Sequence, residues 1–126
     1  MALVYEELSN QILKAYFNVL RHLGAGLSEK LYENALCVEF EEMGIPYERQ
    51  KRFSIIYKGR NIGDYIPDIV VDEKIILEPK AVPQLVRANE AQLLNYLGIT
   101  GYPVGYLLNF GEGRDFKRLL GVSALH

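Results

Sequence analysis

The stretch Ile75-Ile76-Leu77-Glu78-Pro79-Lys80 constrains the fold more than any other part of the chain. Its three leading residues are apolar and two are β-branched, so it reads as a buried strand. Yet it closes on an acid, a proline and a lysine. A second apolar run just upstream carries Pro67-Asp68, and in it Ile62, Asp64, Ile66, Asp68 and Val70 would share one face of an extended strand. Charges are rarely placed inside strands without partners, because burying a lone charge is costly. Glu78 and Lys80 are two residues apart and therefore point to the same face of their strand.

The connection Asp72-Glu73-Lys74 decides whether Asp68 can join them. Pairing Val71 with Lys74 around a two-residue turn sets Asp68 against Leu77 and puts Asp68 and Glu78 on opposite faces. Pairing Val71 with Ile75 around a three-residue loop sets Asp68 opposite Glu78. The second register makes a divalent-cation site chemically sensible. Magnesium takes oxygen ligands, often one or two carboxylates completed by water and substrate phosphate. A lysine beside them can orient a water or meet negative charge. On spacing alone a plainer reading stays open: a Glu78–Lys80 ion pair at a sheet edge, with Asp68 in solvent.

The rest of the chain supplies the elements around these strands. Residues from Val4 to Leu23 repeat with helical period, with Ile12, Ala15, Tyr16, Val19, Leu20 and Leu23 in one stripe. Gly24-Ala25-Gly26 ends that pattern. Ser28 can cap a second helix with Glu29 in its first turn, where an acid is favourable on electrostatic grounds alone. Leu31, Ala35, Val38 and Phe40 give it an apolar side, and Gly44 stops it. Phe53 to Tyr57 alternates as a strand and turns at Lys58-Gly59. A third helix is expected from Arg87 to Leu97, ended by Gly98 and Gly101. A buried strand is expected from Tyr102 to Phe110, and a short one from Phe116 to Leu120. The order α-α-β-β-β-α-β-(β) predicts an α/β sandwich. Its mixed central sheet, an antiparallel meander followed by a helical crossover strand, is flanked by helices in a three-layer-like arrangement within one domain of residues 1–126.

Composition narrows the function. With 126 residues there is little room beyond one core. The hydrophobic fraction of 49% and the net charge of −2 exclude a disordered chain and a uniformly basic nucleic-acid binder. Contact with nucleic acid must therefore use a local patch. Residues 47–60 hold one: Arg49, Lys51, Arg52, Lys58 and Arg60 against Glu48 alone, interleaved with Tyr47, Phe53 and Tyr57. Lys51, Lys58 and Arg60 are the candidate phosphate contacts, against the plainer reading of a solvated hairpin rim. Cys37 is alone, which rules out an internal disulfide and a cysteine-based zinc site. The opening MALVYEELSN lacks a secretory pattern, and no run has the length of a membrane span, so a cytoplasmic, non-membrane protein is expected.

Several strings together resemble one family. Gly26-Leu27-Ser28-Glu29-Lys30-Leu31-Tyr32 is similar to the signature of the GxxExxY proteins, a branch of the PD-(D/E)XK nuclease-like superfamily. The resemblance continues through Tyr57-Lys58-Gly59, Pro67-Asp68, Glu78-Pro79-Lys80-Ala81-Val82, Glu90 to Leu97, Leu107 to Gly111 and Phe116-Lys117-Arg118. It implies a restriction-endonuclease-like core in which Asp68 and Glu78 bind Mg2+ or Mn2+. The Pro79 carbonyl would be a further ligand, and the helical acid Glu29 would approach the same centre. It further implies that Lys80 sits beside the attacking water and that Gln92, on the following helix, lies near Lys80 and the substrate phosphate. The implied activity is hydrolysis of nucleic-acid phosphodiesters, DNA before RNA, and the resemblance permits a homodimer. Two positions depart from the pattern. Pro79 stands where an apolar residue such as Leu is usual, and should bend the strand or leave an edge unpaired. Asn89 stands where His is frequent, and cannot shuttle a proton. Both departures motivate an alternative: a non-catalytic nucleic-acid or protein interaction module on the same fold.

Overall fold

The structure is a computed structural model, and it describes residues 4–122. His126 lies outside them. Three helices, α1 (Glu6–Leu23), α2 (Glu29–Met43) and α3 (Arg87–Thr100), combine with seven strands: β1 (Tyr47–Arg49), β2 (Phe53–Tyr57), β3 (Arg60–Tyr65), β4 (Ile69–Val71), β5 (Ile75–Lys80), β6 (Val104–Asn109) and β7 (Phe116–Leu120). Five strands form one mixed sheet in the order β1-β4-β5-β6-β7, and β2 and β3 form a separate hairpin. The β5–β6 pair is parallel, bridged by α3, while the other pairs are antiparallel. This is the mixed α/β sandwich expected.

Side-chain alternation along β4, β5 and β6 divides the core in two. Ile69, Val71, Ile75, Leu77, Val104, Tyr106 and Leu108 face α1 and α2. Val70, Ile76 and Leu107 face α3 through Leu93 and Leu97. Helices therefore cover both faces of the sheet, as a strand buried on both sides requires. No helix among the described residues is long and apolar enough to cross a membrane.

Several expectations are corrected. The Ile62–Val70 segment is not one strand. It breaks at Ile66-Pro67, and its halves lie in different sheets, because proline removes a ladder donor and restricts the residue before it. The short strand β1, which the sequence pattern did not signal, is what pairs with β4. In α2 the buried face is Tyr32, Leu36, Cys37 and Phe40, whereas Leu31 and Val38 are exposed. That helix carries two apolar stripes, and the bulkier one turns inward. In α1 the buried stripe runs as expected to Leu20, but Leu23 at the helix end is exposed. Helix α3 also runs through Gly98 and stops at Gly101, whose φ of 77° caps it in the left-handed region.

Pro79 does not bend β5. The parallel register with β6 is continuous from Ile75 to Lys80. The Phe110 N–H donates to the Lys80 carbonyl at 2.8 Å, so the backbone polar groups of Lys80 face β6. Those of Pro79, one residue earlier, face the opposite edge. There β4 begins only at Ile69, opposite Leu77. The missing N–H of Pro79 therefore falls beyond the β4 ladder and forfeits no bond, and its carbonyl opens toward the segment that holds Asp68.

Candidate active site

The loop between β4 and β5 sets the register. Val71 pairs with Ile75, Val70 with Ile76 and Ile69 with Leu77. The connection is thus the three-residue one. Asp72 and Glu73 have φ of 50° and 53°, the left-handed pair that a tight primed turn needs, and the Lys74 N–H donates to the Val71 carbonyl at 2.9 Å. Continuing this register by one residue sets Asp68 against Glu78 on the face that also carries Val70 and Ile76.

Asp68, Glu78 and Lys80 are each partly buried. Burial pushes the Glu78 carboxyl up to about 7, and the nearby charge of Asp68 adds to that. Hydrogen bonding from Tyr65, the Lys80 charge and the Asp68 backbone pull the other way. Asp68 is also raised, first by burial, then by the charges of Glu33 and Glu29 on α2, against Lys80 and Lys30. Two carboxylates pushed up by burial and by neighbouring acids make a place where positive charge is favoured. Glu78 and Lys80 form no ion pair among those of the described residues. Asp68 is half-buried rather than solvated. The plain edge ion pair is not what the fold builds.

Helix α3 supplies the other wall. Glu78, Lys80, Asn89, Gln92, Leu93, Tyr96 and Leu107 line one narrow cleft, so Gln92 does meet the strand charges. Asn89 is engaged at the helix start: its Oδ1 accepts from the Val86 N–H at 3.0 Å, and its own N–H donates to the Val86 carbonyl. It serves as a cap. Glu29 lies exposed in the first turn of α2 and bears on Asp68 through its charge. Among the described residues, no three His, Cys, Asp or Glu side chains group closely enough to hold a metal ion. Asp68 and Glu78 are the two acids that come together here, and paired carboxylates are oxygen donors of the kind that a hard divalent cation takes.

Two residues of this neighbourhood were not singled out by sequence. Tyr65, at the inner end of the β2–β3 hairpin, donates its hydroxyl to Glu78 Oε1 at 2.9 Å, and its ring stacks on Tyr96 at 3.6 Å between centroids. Burial and the Glu78 charge raise its pKa far above the usual phenol value, so it stays a donor. Glu33, one turn after Glu29, is the α2 acid with the larger effect on Asp68. It is 4% exposed and held by Arg49, whose Nε and Nη2 both donate to its Oε2, with Lys30 alongside. The i, i+4 spacing of Glu29 and Glu33 places both on one side of the helix, and was the available signal.

Across residues 47–60, Arg52 pairs with Asp64 at 3.0 Å and Arg49, on β1, with Glu33. The three cations outside those pairs are Lys51, Lys58 and Arg60, the candidates for phosphate contact. Lys51 lies 5.8 Å from the Phe53 ring and Lys58 5.5 Å from the Tyr57 ring.

A mixed sheet covered on both faces, with one acid just before β4 and an acid-x-lysine string at the end of the neighbouring β5, defines a nuclease-like class of α/β domain. The chain belongs to the PD-(D/E)XK nuclease superfamily, which it matches over residues 6–119. No curated protein and no solved structure matches it. Members of that superfamily typically use divalent metals.

Proposed function

We propose that this chain is a divalent-metal-dependent phosphodiesterase that cleaves nucleic acid, DNA before RNA, and that it falls in the GxxExxY branch of its superfamily. The observation that carries this reading is the three-residue loop, which brings Asp68 and Glu78 to one face beside Lys80 and the free edge at Pro79. Asp68, Glu78 and the Pro79 carbonyl would hold Mg2+ or Mn2+, with Glu29 acting through water. The ion supplies stabilisation of phosphoryl charge and a lowered pKa for water. Lys80 orients the water that attacks phosphorus and meets the charge that develops on the phosphate. Gln92 hydrogen-bonds to the same water or phosphate from α3. Tyr65 fixes the Glu78 carboxylate by holding one of its oxygens. Lys51, Lys58 and Arg60 contact phosphates away from the scissile bond.

The non-catalytic alternative rested on Pro79 and Asn89. Pro79 costs the sheet no bond, and Asn89 has a structural duty at the α3 start, so neither feature favours it. The test is cleavage of labelled DNA by purified protein with Mg2+, with Mn2+ and with chelator. Activity is expected only with metal, and is expected to be lost in Asp68→Ala and Lys80→Ala variants whose circular dichroism matches the parent. Undiminished cleavage by both variants, or by chelated protein, overturns the proposal.

A further inference from the structure

The β2–β3 hairpin stands outside the main sheet and carries three large exposed apolar side chains. Ile56, Tyr57 and Ile62 are 61%, 59% and 64% exposed. Its inner end is anchored. Phe53 and Ile55 pack against the α3-side core, Phe53 meets Tyr102 at 5.5 Å, and Tyr65 reaches Glu78. From Phe53 the ribbon runs roughly 13 Å to Tyr57, at about 3.3 Å per residue. The register breaks between Ile55 and Ile56, so that Ile55 pairs with Gly63 and Ile56 with Asn61. Ile62 is the extra residue. The bulge leaves Ile62 unpaired next to the Ile56–Asn61 pair, and both isoleucines face solvent.

We infer that this ribbon is an arm that enters the minor groove of double-stranded DNA and presses Ile56 and Ile62 against a base step, partly unstacking it. Apolar side chains at the end of a protruding element are the known means of wedging base steps in that groove. The charges choose the partner. Lys58 and Arg60 flank the apolar group at the turn and Lys51 lies over Phe53 at the anchored end, all three outside the hairpin's ion pairs, whereas Asp64 is paired with Arg52. A second copy of the same chain, docked through the same face, would oppose these cations to their own kind. A polyanion would neutralise them. Asn61 Oδ1 is taken by the Gly63 N–H and Asp64 by Arg52, and the apolar pair meets base faces rather than base edges. Duplex RNA offers a minor groove too shallow for such a wedge.

The inference rests on the nucleic-acid reading given above and adds the duplex and its distortion. The test is made in chelator, where the proposed nuclease chemistry is silent. Binding is read by anisotropy, and unstacking by the emission of a purine analogue that stacking quenches, placed within an otherwise ordinary DNA duplex. The parent chain is expected to bind and to brighten the analogue. The Ile56→Ser/Ile62→Ser variant, altered only at exposed positions, is expected to bind with an unchanged salt slope and to lose the brightening. Lys58→Gln/Arg60→Gln is expected to lower the salt slope by about 1.8, at about 0.9 per phosphate contact. Binding by the parent without brightening overturns the wedge and leaves the nuclease proposal standing on its own cleavage assay. Brightening that persists in the isoleucine variant overturns it as well. So does a parent dimer in sedimentation that this variant converts to monomer, which would make the face a self-association surface. A parent that binds no DNA in chelator also overturns it.

Discussion

Replacing Glu78 by glutamine should make the metal-free protein more stable at alkaline pH while removing its activity. The reasoning starts from a carboxyl that burial, and then Asp68, raise from an ordinary 4.5 to about 7. The folded state then holds the Glu78 proton more tightly than the unfolded chain does. Below pH 4.5 both states are protonated and the group has no effect on stability. As pH climbs toward 7 the unfolded chain ionises first, and folding loses free energy. The full penalty is about 3 kcal/mol above pH 7, at about 1.4 kcal/mol per pK unit. At pH 5 linkage leaves it under about 1 kcal/mol. Glutamine is nearly isosteric and uncharged, and its carbonyl can still accept from Tyr65. In chelator, Glu78→Gln should therefore melt near the parent at pH 5 and above it at pH 8, by roughly 10 °C for a chain of this size. Adding Mn2+ should raise the parent's melting temperature more at pH 8 than at pH 5, because the ion competes with protons for the same oxygens, and should leave the variant nearly unmoved. Asp68 is raised in the same direction, so the two carboxyls titrate as a pair and the observed midpoint belongs to both. Parallel melting curves for parent and variant across pH 5 to 8 in chelator would refute the reasoning.

Two further outcomes follow from contacts around the same strands. Tyr65→Phe keeps the ring stack on Tyr96 and removes the donor to Glu78. It should lower kcat more than it raises KM and destabilise the metal-free protein at pH 8 by about 2 kcal/mol, the scale of a hydrogen bond to a charged group; an unchanged kcat would remove Tyr65 from the site. Arg49→Met leaves the Glu33 charge buried and should cost about 2–3 kcal/mol by denaturant titration, while adding Glu33→Gln should restore most of it. A double variant no more stable than the single one would show that the pair does not act as a unit.

The layer order, the three helices and the β5 boundaries were legible because each rests on local periodicity and local stop signals. The apolar stripe of α1 and the left-handed cap at Gly44 need no knowledge of the rest of the chain. What was not legible depends on contacts distant in sequence. Strand β1 is three residues long and exists because β4 offers an edge to Tyr47, Glu48 and Arg49. The inward face of α2 was chosen by competition between two apolar stripes, and that outcome is fixed by what the sheet presents. Within the site, Asp68, Glu78 and Lys80 could be proposed from spacing, with their common face conditional on loop length. Tyr65 could not, since its link to Glu78 crosses from one sheet to the other. Glu33 was masked by Glu29, the acid inside the recognisable string.

The outer strands have a consequence for insertion. Strand β4 is held on its far side by β1, and β5 by β6. A residue added between them is therefore taken up in the loop, as insertions on a fixed scaffold are, and Asp68 stays opposite Glu78. Only a shift of the pairing itself by one residue would turn Ile69, Val70 and Val71 over and carry Asp68 to the face away from Glu78. The common face of the two acids is thus guarded by the strands on either side as much as by the turn that joins them.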